Sequence, residues 1–354
     1  MTKPEKKRNI TVKVIGSIIL LGLIIGGIIG FNIYSKTMKP NINSMNKDVF
    51  IFIPPQSNMK DISNLIQEKG IFNNQQSFEW VAEKKNYKGK NIVPGKYKIS
   101  DGWSNNDLIN HLRAGNGRLD VSITFNQIRD LQQLSGALSK SIMIDSASVY
   151  QYISDPKTIQ KYGFNKQTFI SMFVPNTYYV QWHISKEDLI KRMANEYKSF
   201  WTTTRKNKLK RSGLTQSEIV TMASIVYWET KIPKDKKTIA GVYMNRIRIG
   251  MPLQADPTLI FASGDYSINR VLDKHKQINS PYNTYKNRGL PPGPILIPPI
   301  SYIDAVLDFE KHKYLYFVAK EDFSGESYFS KTYTQHLNYA RRYQKALNKR
   351  KIYR

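Results

Sequence analysis

Glu229 is the residue with the clearest capacity for acid–base chemistry. It ends a run from Leu214 to Thr230 whose pattern is that of an amphipathic helix. Met222, Ile225 and Val226 precede it by seven, four and three residues, so a helix places all four on one face. A carboxyl group on an apolar face is poorly solvated, which raises its pKa. Glu229 is therefore predicted to stay protonated near neutral pH and to act as a general acid.

The start of the same helix is also marked in the sequence. Thr215 and Glu218 have the T-x-x-E spacing of a capping box. Glu229 lies near the C-terminal end of this predicted helix. The alternative interpretation is that it is a helix-end carboxylate paired with a nearby Lys or Arg. The motifs around Glu229 decide between the two interpretations.

Five neighbouring segments combine short polar side chains with tyrosine and proline. In chain order they are Phe173–Tyr178, Met244–Arg246 within a helical stretch from Ile239 to Ile247, Ile249–Thr258, Pro281–Tyr285 and Gly289–Ile295. Asn, Gln, Asp and Arg side chains bond to sugar hydroxyl and acetamido groups, and aromatic rings stack on the apolar faces of sugars. Together the segments predict sugar recognition, although Pro-Pro-Gly and Asp-Pro taken singly are ordinary rigid turns.

The order of these motifs resembles that of a known enzyme family. The series A-S-I-V-x-x-E-T, N-R-I-R-I-G-M-x-L-Q-x-D-P-T, Y-N-T-Y and G-L-P-P-G-x-I is similar to the endolytic murein (lytic) transglycosylases of the YceG-like family. The resemblance covers roughly residues 45 to 354 and is most specific from Met222 to Ile295. It implies cleavage of the β-1,4 bond between N-acetylmuramic acid and N-acetylglucosamine in peptidoglycan, without water, leaving a 1,6-anhydro sugar.

The resemblance also implies roles for individual residues. Glu229 matches the second Glu of the family's E-x-E motif, which protonates the leaving oxygen and then takes the proton of the C6 hydroxyl. One carboxyl group suffices because the substrate supplies its own nucleophile. Eight further positions are candidates for the glycan cleft: Asn245, Arg246, Gln254, Asp256, Thr258, Asn283, Thr284 and Tyr285. Asp256 precedes a proline, so an extended or turn conformation is the alternative explanation for it.

The chain departs from the family pattern at three points. Tyr227 occupies the first position of E-x-E, Asn176 replaces the Asp of a Pro-Asp-Thr turn, and Gln335-His336 replaces a Glu-His pair. A mechanism that needs the first Glu is therefore in doubt. The alternative function is a non-catalytic, membrane-anchored scaffold that binds peptidoglycan.

An N-terminal apolar segment predicts a single transmembrane helix. Val14 to Ile33 carries no charge and is long enough to span a bilayer. The residues before it include five bases, Lys3, Lys6, Lys7, Arg8 and Lys13, so they are expected to stay in the cytoplasm and the rest of the chain outside. A cleaved signal peptide is the alternative, but the apolar run is long for one and no A-x-A site follows it.

The composition limits which classes of partner and cofactor are expected. The 354 residues carry a net charge of +27 and no cysteine, which excludes disulfides and cysteine-based metal sites. Because most of the basic residues are expected outside the membrane, anionic lipids and wall polymers are favoured as binding partners over nucleic acid. Two basic clusters, which are alternatively only solvated faces, are Arg205, Lys206, Lys208, Lys210 and Arg211, and Lys345, Lys349, Arg350, Lys351 and Arg354. The five scattered histidines form no H-E-x-x-H motif, and no cofactor is expected.

The elements before the catalytic part suggest a small separate module. A strand at Val49–Ile53, helices at about 58–69 and 76–84, a strand at Lys96–Ile99 and a helix capped by Ser104 and ended by Gly115 follow in order. This β-α-α-β order resembles a LysM-like carbohydrate-binding module. A strand at Leu119–Phe125 and a helix near Ile128–Leu138 come next, and the last helix spans about Thr334–Asn348.

The predicted fold is α+β, with five segments along the chain. They are a cytoplasmic basic flank at 1–13, a transmembrane helix at 14–34, a linker at 35–46, the LysM-like module at 47–118 and the catalytic domain at 119–354. The expected partners are peptidoglycan glycan strands, the membrane and the proteins of wall synthesis. The expected location is the bacterial cell membrane, with the catalytic domain outside.

Overall fold

The computed structural model describes residues 5–268 and 270–350, with side chains from residue 12 onward. Helices and strands are mixed along the chain, which confirms the α+β class. The chain divides into two compact units, the first reaching Val121 and including Val180–His183, the second holding Ser122–Tyr179 and the chain from Ile184 onward. Lys3, Lys351 and Arg354 of the predicted basic segments lie outside the described residues, as do the side chains of Lys6, Lys7 and Arg8.

The N-terminal helix is longer than the sequence indicated. Helix α1 spans Glu5–Met38, and its Val12–Met38 part is long and apolar enough to cross a membrane. It passes the expected end at Tyr34 by four residues and takes up the first part of the predicted linker, 35–46. The sequence missed this end because Ser35, Lys36 and Thr37 are polar but none of them breaks a helix.

The remainder of the predicted linker is fixed in the first unit. Asn41, Ile42 and Ser44 are buried. The amide group of Asn41 donates to Asn105 Oδ1 at 2.7 Å and its oxygen accepts from the backbone N–H of Asn74 at 2.8 Å. Ile42 joins the apolar core of the unit. The second part of the predicted polar linker is therefore packed into the first unit, because these side chains have partners there.

The first unit has the element order that the sequence predicted. Its elements after α1 are β1 (Val49–Ile53), α2 (Met59–Glu68), α3 (Gln75–Lys84), β2 (Gly95–Ile99), α4 (Asn105–Ala114) and β3 (Arg118–Thr124), which runs on into the second unit. β1 pairs antiparallel with β2, with Val49 opposite Ile99, and β2 pairs antiparallel with β3. Asn58 and Ser104 cap α2 and α4 through complete capping boxes.

The second unit is mainly helical. Its elements are α5 (Leu131–Ser139), α6 (Ser146–Ser154), α7 (Pro156–Lys161), β4 (Thr177–Gln181), α8 (Lys186–Phe200), α9 (Thr203–Ser212), α10 (Gln216–Glu229), α11 (Asp235–Arg248), α12 (Asp256–Ser263), α13 (Asp273–Lys276), α14 (Ile300–Leu307), β5 (Tyr316–Ala319), β6 (Ser327–Ser330) and α15 (Tyr333–Lys349). β5 and β6 form a two-stranded antiparallel sheet. The helix expected from Ile128 begins only at Leu131, because Asp130 accepts a bond from the Gln133 N–H and acts as its N-cap.

Helix α10 lies in the core of the second unit. The predicted capping box is present, with Glu218 Oε2 accepting from the Thr215 N–H at 2.7 Å. Every residue from Ile219 to Val226 is buried, so the helix is enclosed on all sides and the predicted amphipathic pattern is wrong. The polar residues Thr221 and Ser224 can be buried here because their hydroxyl groups donate to carbonyls of their own helix at 2.7 Å.

Candidate active site

Glu229 lies at the C-terminal end of α10 and faces helix α11. Tyr243 Oη on α11 donates a hydrogen bond to Glu229 Oε1 at 2.7 Å. Tyr243 is 1% exposed, whereas part of the Glu229 surface remains accessible. The carboxyl group is thus held by a buried donor in a residue that is itself only partly buried.

Burial controls the ionisation of Glu229. Burial is the largest cause that raises the pKa of the carboxyl group, and the negative charge of Asp256 also raises it, whereas the hydrogen bond of Tyr243 and the positive charge of Arg246 lower it. The net effect brings the pKa to about 7. Close to neutral pH the group therefore populates both protonation states, as a residue that first gives and then takes a proton requires. Burial and the adjacent Glu229 carboxylate hold the pKa of Tyr243 well above its ordinary value, so Tyr243 remains a donor.

Two of the predicted cleft residues bond to backbone carbonyls of other segments of the chain. Asn245 donates to the backbone oxygens of His312 and Tyr314 at 2.8 and 3.0 Å. Arg246 is 7% exposed and donates to the backbone oxygens of Leu315, at 2.7 Å, and Leu253. Arg246 acts on Glu229 through its charge, and its Nε and Nη1 groups donate to protein carbonyls, so a direct contact of Asn245 or Arg246 with glycan stays a prediction.

Three other predicted cleft residues, Thr258, Asn283 and Thr284, are also buried. Thr284 Oγ1 accepts from the Ala255 N–H at 3.0 Å and lies 2.9 Å from Thr258 Oγ1. Asn283 donates to the Lys276 and Ile278 carbonyls at 2.9 and 2.8 Å. The threonine bonds join the Pro281–Tyr285 segment to the start of α12, and the Asn283 bonds join it to the end of α13. All three side chains therefore position loops, and their contact with a ligand stays a prediction.

The remaining three cleft candidates are accessible. Tyr285 Oη donates to Asp256 Oδ1 at 2.5 Å, and Asp256 and Gln254 are exposed. Asp256 is the first residue of α12, not part of an extended turn, because Pro257 suits the first turn of a helix. Gln254 has a positive φ of 48°, which turns the chain into that helix. A role of these three in glycan binding stays a prediction.

Tyr227, which replaces the family's first Glu, lies on a different face of α10 from Glu229. Residues two apart in a helix do not face each other. The Tyr227 ring contacts Tyr302 edge to face, with centroids 4.9 Å apart, and Lys231 Nζ lies 3.2 Å from its centroid. The substitution therefore takes no carboxylate away from the surroundings of Glu229.

The Gly289–Ile295 segment is anchored directly to α10. The Ile295 N–H donates to Ser224 Oγ at 3.1 Å in the buried core. Gly293 has to be glycine, because a Cβ atom there would lie 2.1 Å from the Gln167 carbonyl oxygen. The glycine and proline pattern thus serves a close packing of the loop against the helix that carries Glu229.

An aromatic and cationic surface adjoins Glu229 in sequence. The rings of Trp228 and Tyr266 are nearly parallel, at 18°, and the Arg129 guanidinium lies 5.6 Å and 4.2 Å from their centroids. Arg129 also lines a cavity of about 420 Å³, with Asp130, Leu131, Gln132, Tyr150, Lys166, Gln167, Ile170, Phe261, Tyr282 and Pro294. Such a mixture of rings and polar groups is suited to sugars.

Sequence reasoning missed several residues of this region. Tyr243 and Arg246 are three residues apart on α11 and share a face, a spacing that could have indicated Tyr243. Tyr316 was not recognisable, and His336 was noted only as part of the Gln335-His336 pair, because both reach Arg246 only through the fold. The Tyr316 ring lies 5.6 Å from the Arg246 guanidinium and stacks on His336 at 5.4 Å. Burial and the Arg246 charge lower the pKa of His336.

The comparison with known protein families identifies the family of this chain. The model of the YceG-like family matches residues 51–342. The chain belongs to the YceG-like family. A relative named endolytic murein transglycosylase, from Bacillus subtilis strain 168, is 31% identical over 344 residues, with 93% of each chain covered.

Two further comparisons agree with this membership. A Streptococcus pneumoniae R6 protein with the same name is 28% identical and covers 91% of this chain, which spans 63% of that relative. A solved YceG-like structure from Listeria monocytogenes superposes with a TM-score of 0.54 at 27% identity, covering 83% of this chain and 99% of that one. Membership of the YceG-like family was thus correctly predicted from the motif order.

Proposed function

We propose that this protein is a membrane-anchored endolytic murein transglycosylase that cuts nascent glycan strands between N-acetylmuramic acid and N-acetylglucosamine. The observation that carries the proposal is the carboxyl group of the partly exposed Glu229, which accepts a hydrogen bond from Tyr243 and has a pKa raised to about 7, in a chain whose relatives carry that enzyme name. A lone general acid of this kind is what cleavage without added water requires.

The reaction begins with proton transfer from Glu229. The protonated carboxyl group gives its proton to the glycosidic oxygen as the C1–O bond breaks. The carboxylate that forms is stabilised by the Tyr243 hydroxyl at 2.7 Å and by the charge of Arg246. It then takes the proton from the C6 hydroxyl as that oxygen closes onto C1, which leaves a 1,6-anhydro end and restores the acid.

Asp256 supplies the second negative charge near the site. Its carboxylate raises the pKa of Glu229 and is held by the Tyr285 hydroxyl. A carboxylate near C1 favours the positive charge that develops on the sugar in the transition state. The Trp228, Tyr266 and Arg129 surface gives neighbouring sugars a face on which to stack.

Digestion of purified glycan strands separates this enzyme from a binding scaffold that has lost its chemistry. The full-length protein in neutral detergent should shorten long strands internally, and Glu229→Gln should lower the rate by at least the ~10²–10⁴ typical of a lost general acid or base. Glu218→Gln is the matched control because it alters only the capping box, worth about 1 kcal/mol of stability. Strands bound but never shortened by the wild type would establish the scaffold.

Helix α1 is proposed as an uncleaved anchor that keeps the enzyme close to newly made strands. Its Val12–Met38 part satisfies the length and composition of a membrane span, and the basic residues before it favour a cytoplasmic N-terminus. Protease added to intact protoplasts should then degrade the chain beyond α1. A C-terminal tag that survives the protease would reverse the orientation.

The first unit is proposed to be a LysM-like module that holds the enzyme on glycan. Its β-α-α-β order and the antiparallel pairing of β1 with β2 support this assignment. A groove at the β1–α2 connection is lined by Pro54, Pro55, Gln56, Ser57, Asp61, Asn64, Leu65 and Glu68. The proteins of wall synthesis are the proposed partners, since a cut close to the membrane acts on strands as they are made.

A further inference from the structure

A second concave site in the helical unit collects positive charge. A cavity of about 320 Å³ is lined by Lys208, Arg211, Ser212, Arg248, Leu307, Asp308, Phe309 and Lys311. Four of these eight side chains are cationic and only one is anionic. None of the four belongs to the proposed catalytic machinery.

The acids of the α14 segment beside this cavity are already paired, and Glu310 accepts from Thr238 Oγ1 at 2.6 Å. Asp308 accepts from Lys208 Nζ at 2.7 Å, and the adjacent Asp304 accepts from Arg205 through two bonds of 2.8 and 3.0 Å. No ion pair involves Arg211, Arg248 or Lys311 within residues 12–268 and 270–350. Three exposed cations thus share one cavity without an acidic partner.

The negative ends of three helices offset part of this positive charge but not all of it. Helices α9, α11 and α14 end at Ser212, Arg248 and Leu307, so three C-termini point their free carbonyls towards the region. Each end carries about half a negative charge. Four cations exceed the sum of three such ends and one aspartate, so positive charge remains for a ligand.

Apolar and aromatic side chains fix the shape of this cavity and the position of one of its arginines. Leu307 is 6% exposed and forms an apolar floor, and the Arg248 guanidinium lies 5.3 Å from the Phe309 ring centroid. Stacking of this kind fixes the plane of a guanidinium while its edge stays free to donate. Arginine forks bind phosphate oxygens through paired hydrogen bonds, and a nearby lysine adds a point charge.

We propose that this cavity binds a phosphate or diphosphate ester, with Arg211, Arg248 and Lys311 as its donors. The ligand group comes either from a soluble phosphate or diphosphate or from an anionic lipid headgroup. The inference does not depend on Glu229 or on the proposed cleavage, because it rests on other residues.

The test is calorimetric titration of the full-length protein in phosphatidylcholine nanodiscs at constant ionic strength. Inorganic phosphate, pyrophosphate and a water-soluble short-chain phosphatidylglycerol serve as the three probes. Arg211→Gln combined with Arg248→Gln should weaken binding of at least one probe roughly ten-fold or more, as expected for lost charge-assisted bonds. The probe affected identifies the source of the phosphate group.

A charge-matched control distinguishes a site from general attraction. Arg341→Gln combined with Lys345→Gln removes the same two charges from exposed positions on α15, and binding should weaken by less than roughly three-fold. Equal losses in both double variants, or no measurable binding of any probe by the wild type, would overturn the proposal. Unchanged melting temperatures establish that the variants fold.

Discussion

The hydroxyl of Tyr243 donates to Glu229 Oε1 at 2.7 Å, which couples a buried tyrosine on α11 to the proposed acid at the end of α10. The donor opposes the effect of burial on the pKa of Glu229. It stabilises the carboxylate, which in the proposed mechanism is the form of Glu229 after proton transfer to the leaving oxygen. Tyr243 is therefore expected to act on both the rate and its pH dependence.

Removal of this hydroxyl should slow cleavage and shift its pH profile. Tyr243→Phe should lower kcat by roughly ten- to a hundred-fold, the effect of losing a hydrogen bond to a charged group. Because the bond lowers the pKa of Glu229, its loss should move the alkaline limb of kcat/KM to higher pH. Rates of strand cleavage between pH 5 and 9 measure both effects. A reduced rate with an unmoved limb would show a purely structural role.

The wild-type profile itself follows from the pKa of about 7 at Glu229. The acid must be protonated to begin the reaction, so kcat/KM should be level at acidic pH and fall about ten-fold per unit well above pH 7. A limb near the ordinary pKa of a glutamate would contradict the assignment of Glu229. The Glu218→Gln variant should have the same profile as the wild type.

Stability should depend on pH through the same residue. The pKa of Glu229 rises from 4.5 to about 7 on folding, so the folded state binds the proton more tightly. The resulting stabilisation is complete below pH 4.5 and is lost as pH rises through 7. Near pH 4.5, Glu229→Gln should have the same free energy of unfolding as the wild type. At pH 8.5 its free energy of unfolding should be higher than that of the wild type by on the order of 3 kcal/mol. Thermal melts whose difference is the same at both pH values would refute this linkage.

The missing first glutamate of the E-x-E motif should matter little for the chemistry. Tyr227 packs against Tyr302 and Lys231, away from Glu229. Tyr227→Phe should keep cleavage within roughly two- to three-fold of the wild type, because the lost hydroxyl belongs to a side chain on a different face of α10 from Glu229. Its kcat and KM on glycan strands measure this. A loss as large as that of Glu229→Gln would place Tyr227 in the machinery.

The groove of the first unit should contribute to binding and not to chemistry. Asn64 and Gln56 line it with accessible amide groups. Replacing both by alanine should weaken sacculus binding by roughly three- to ten-fold, about one net hydrogen bond or slightly more. Pull-down of the full-length protein with purified sacculi measures this effect, with Asn110→Ala on α4 as the control. Equal binding by all three proteins would leave the unit as a spacer.

The sequence predicted the elements of the first unit and the position of Glu229 because these depend on local signals. Ser104 and Asp107, or Thr215 and Glu218, form their capping boxes within four residues. The helix α10 was nevertheless expected to be amphipathic, whereas its polar residues Thr221 and Ser224 are buried. Their bonds to their own backbone let them be buried, and only the fold determines that choice.

The roles of the motif residues were harder to predict for a chemical reason. Asn245, Arg246 and Asn283 have donors that suit sugar hydroxyls and backbone carbonyls equally well. The structure gives them carbonyls as partners. Tyr316 and His336 lie about 70 to 90 residues from Arg246 in the chain, and no local pattern joins them. Long-range packing therefore decides which motif residues face a substrate.

Cleavage in water enriched in ¹⁸O tests the central claim most directly. If Glu229 serves as acid and then base without activating water, wild-type products should end in 1,6-anhydro-N-acetylmuramic acid without ¹⁸O by mass spectrometry. Glu229→Gln should give almost no product, and Glu218→Gln should give the wild-type product. Reducing N-acetylmuramic acid ends that carry ¹⁸O would contradict the water-free mechanism. An active Glu229→Gln beside an inactive Asp256→Asn would place the acid on Asp256.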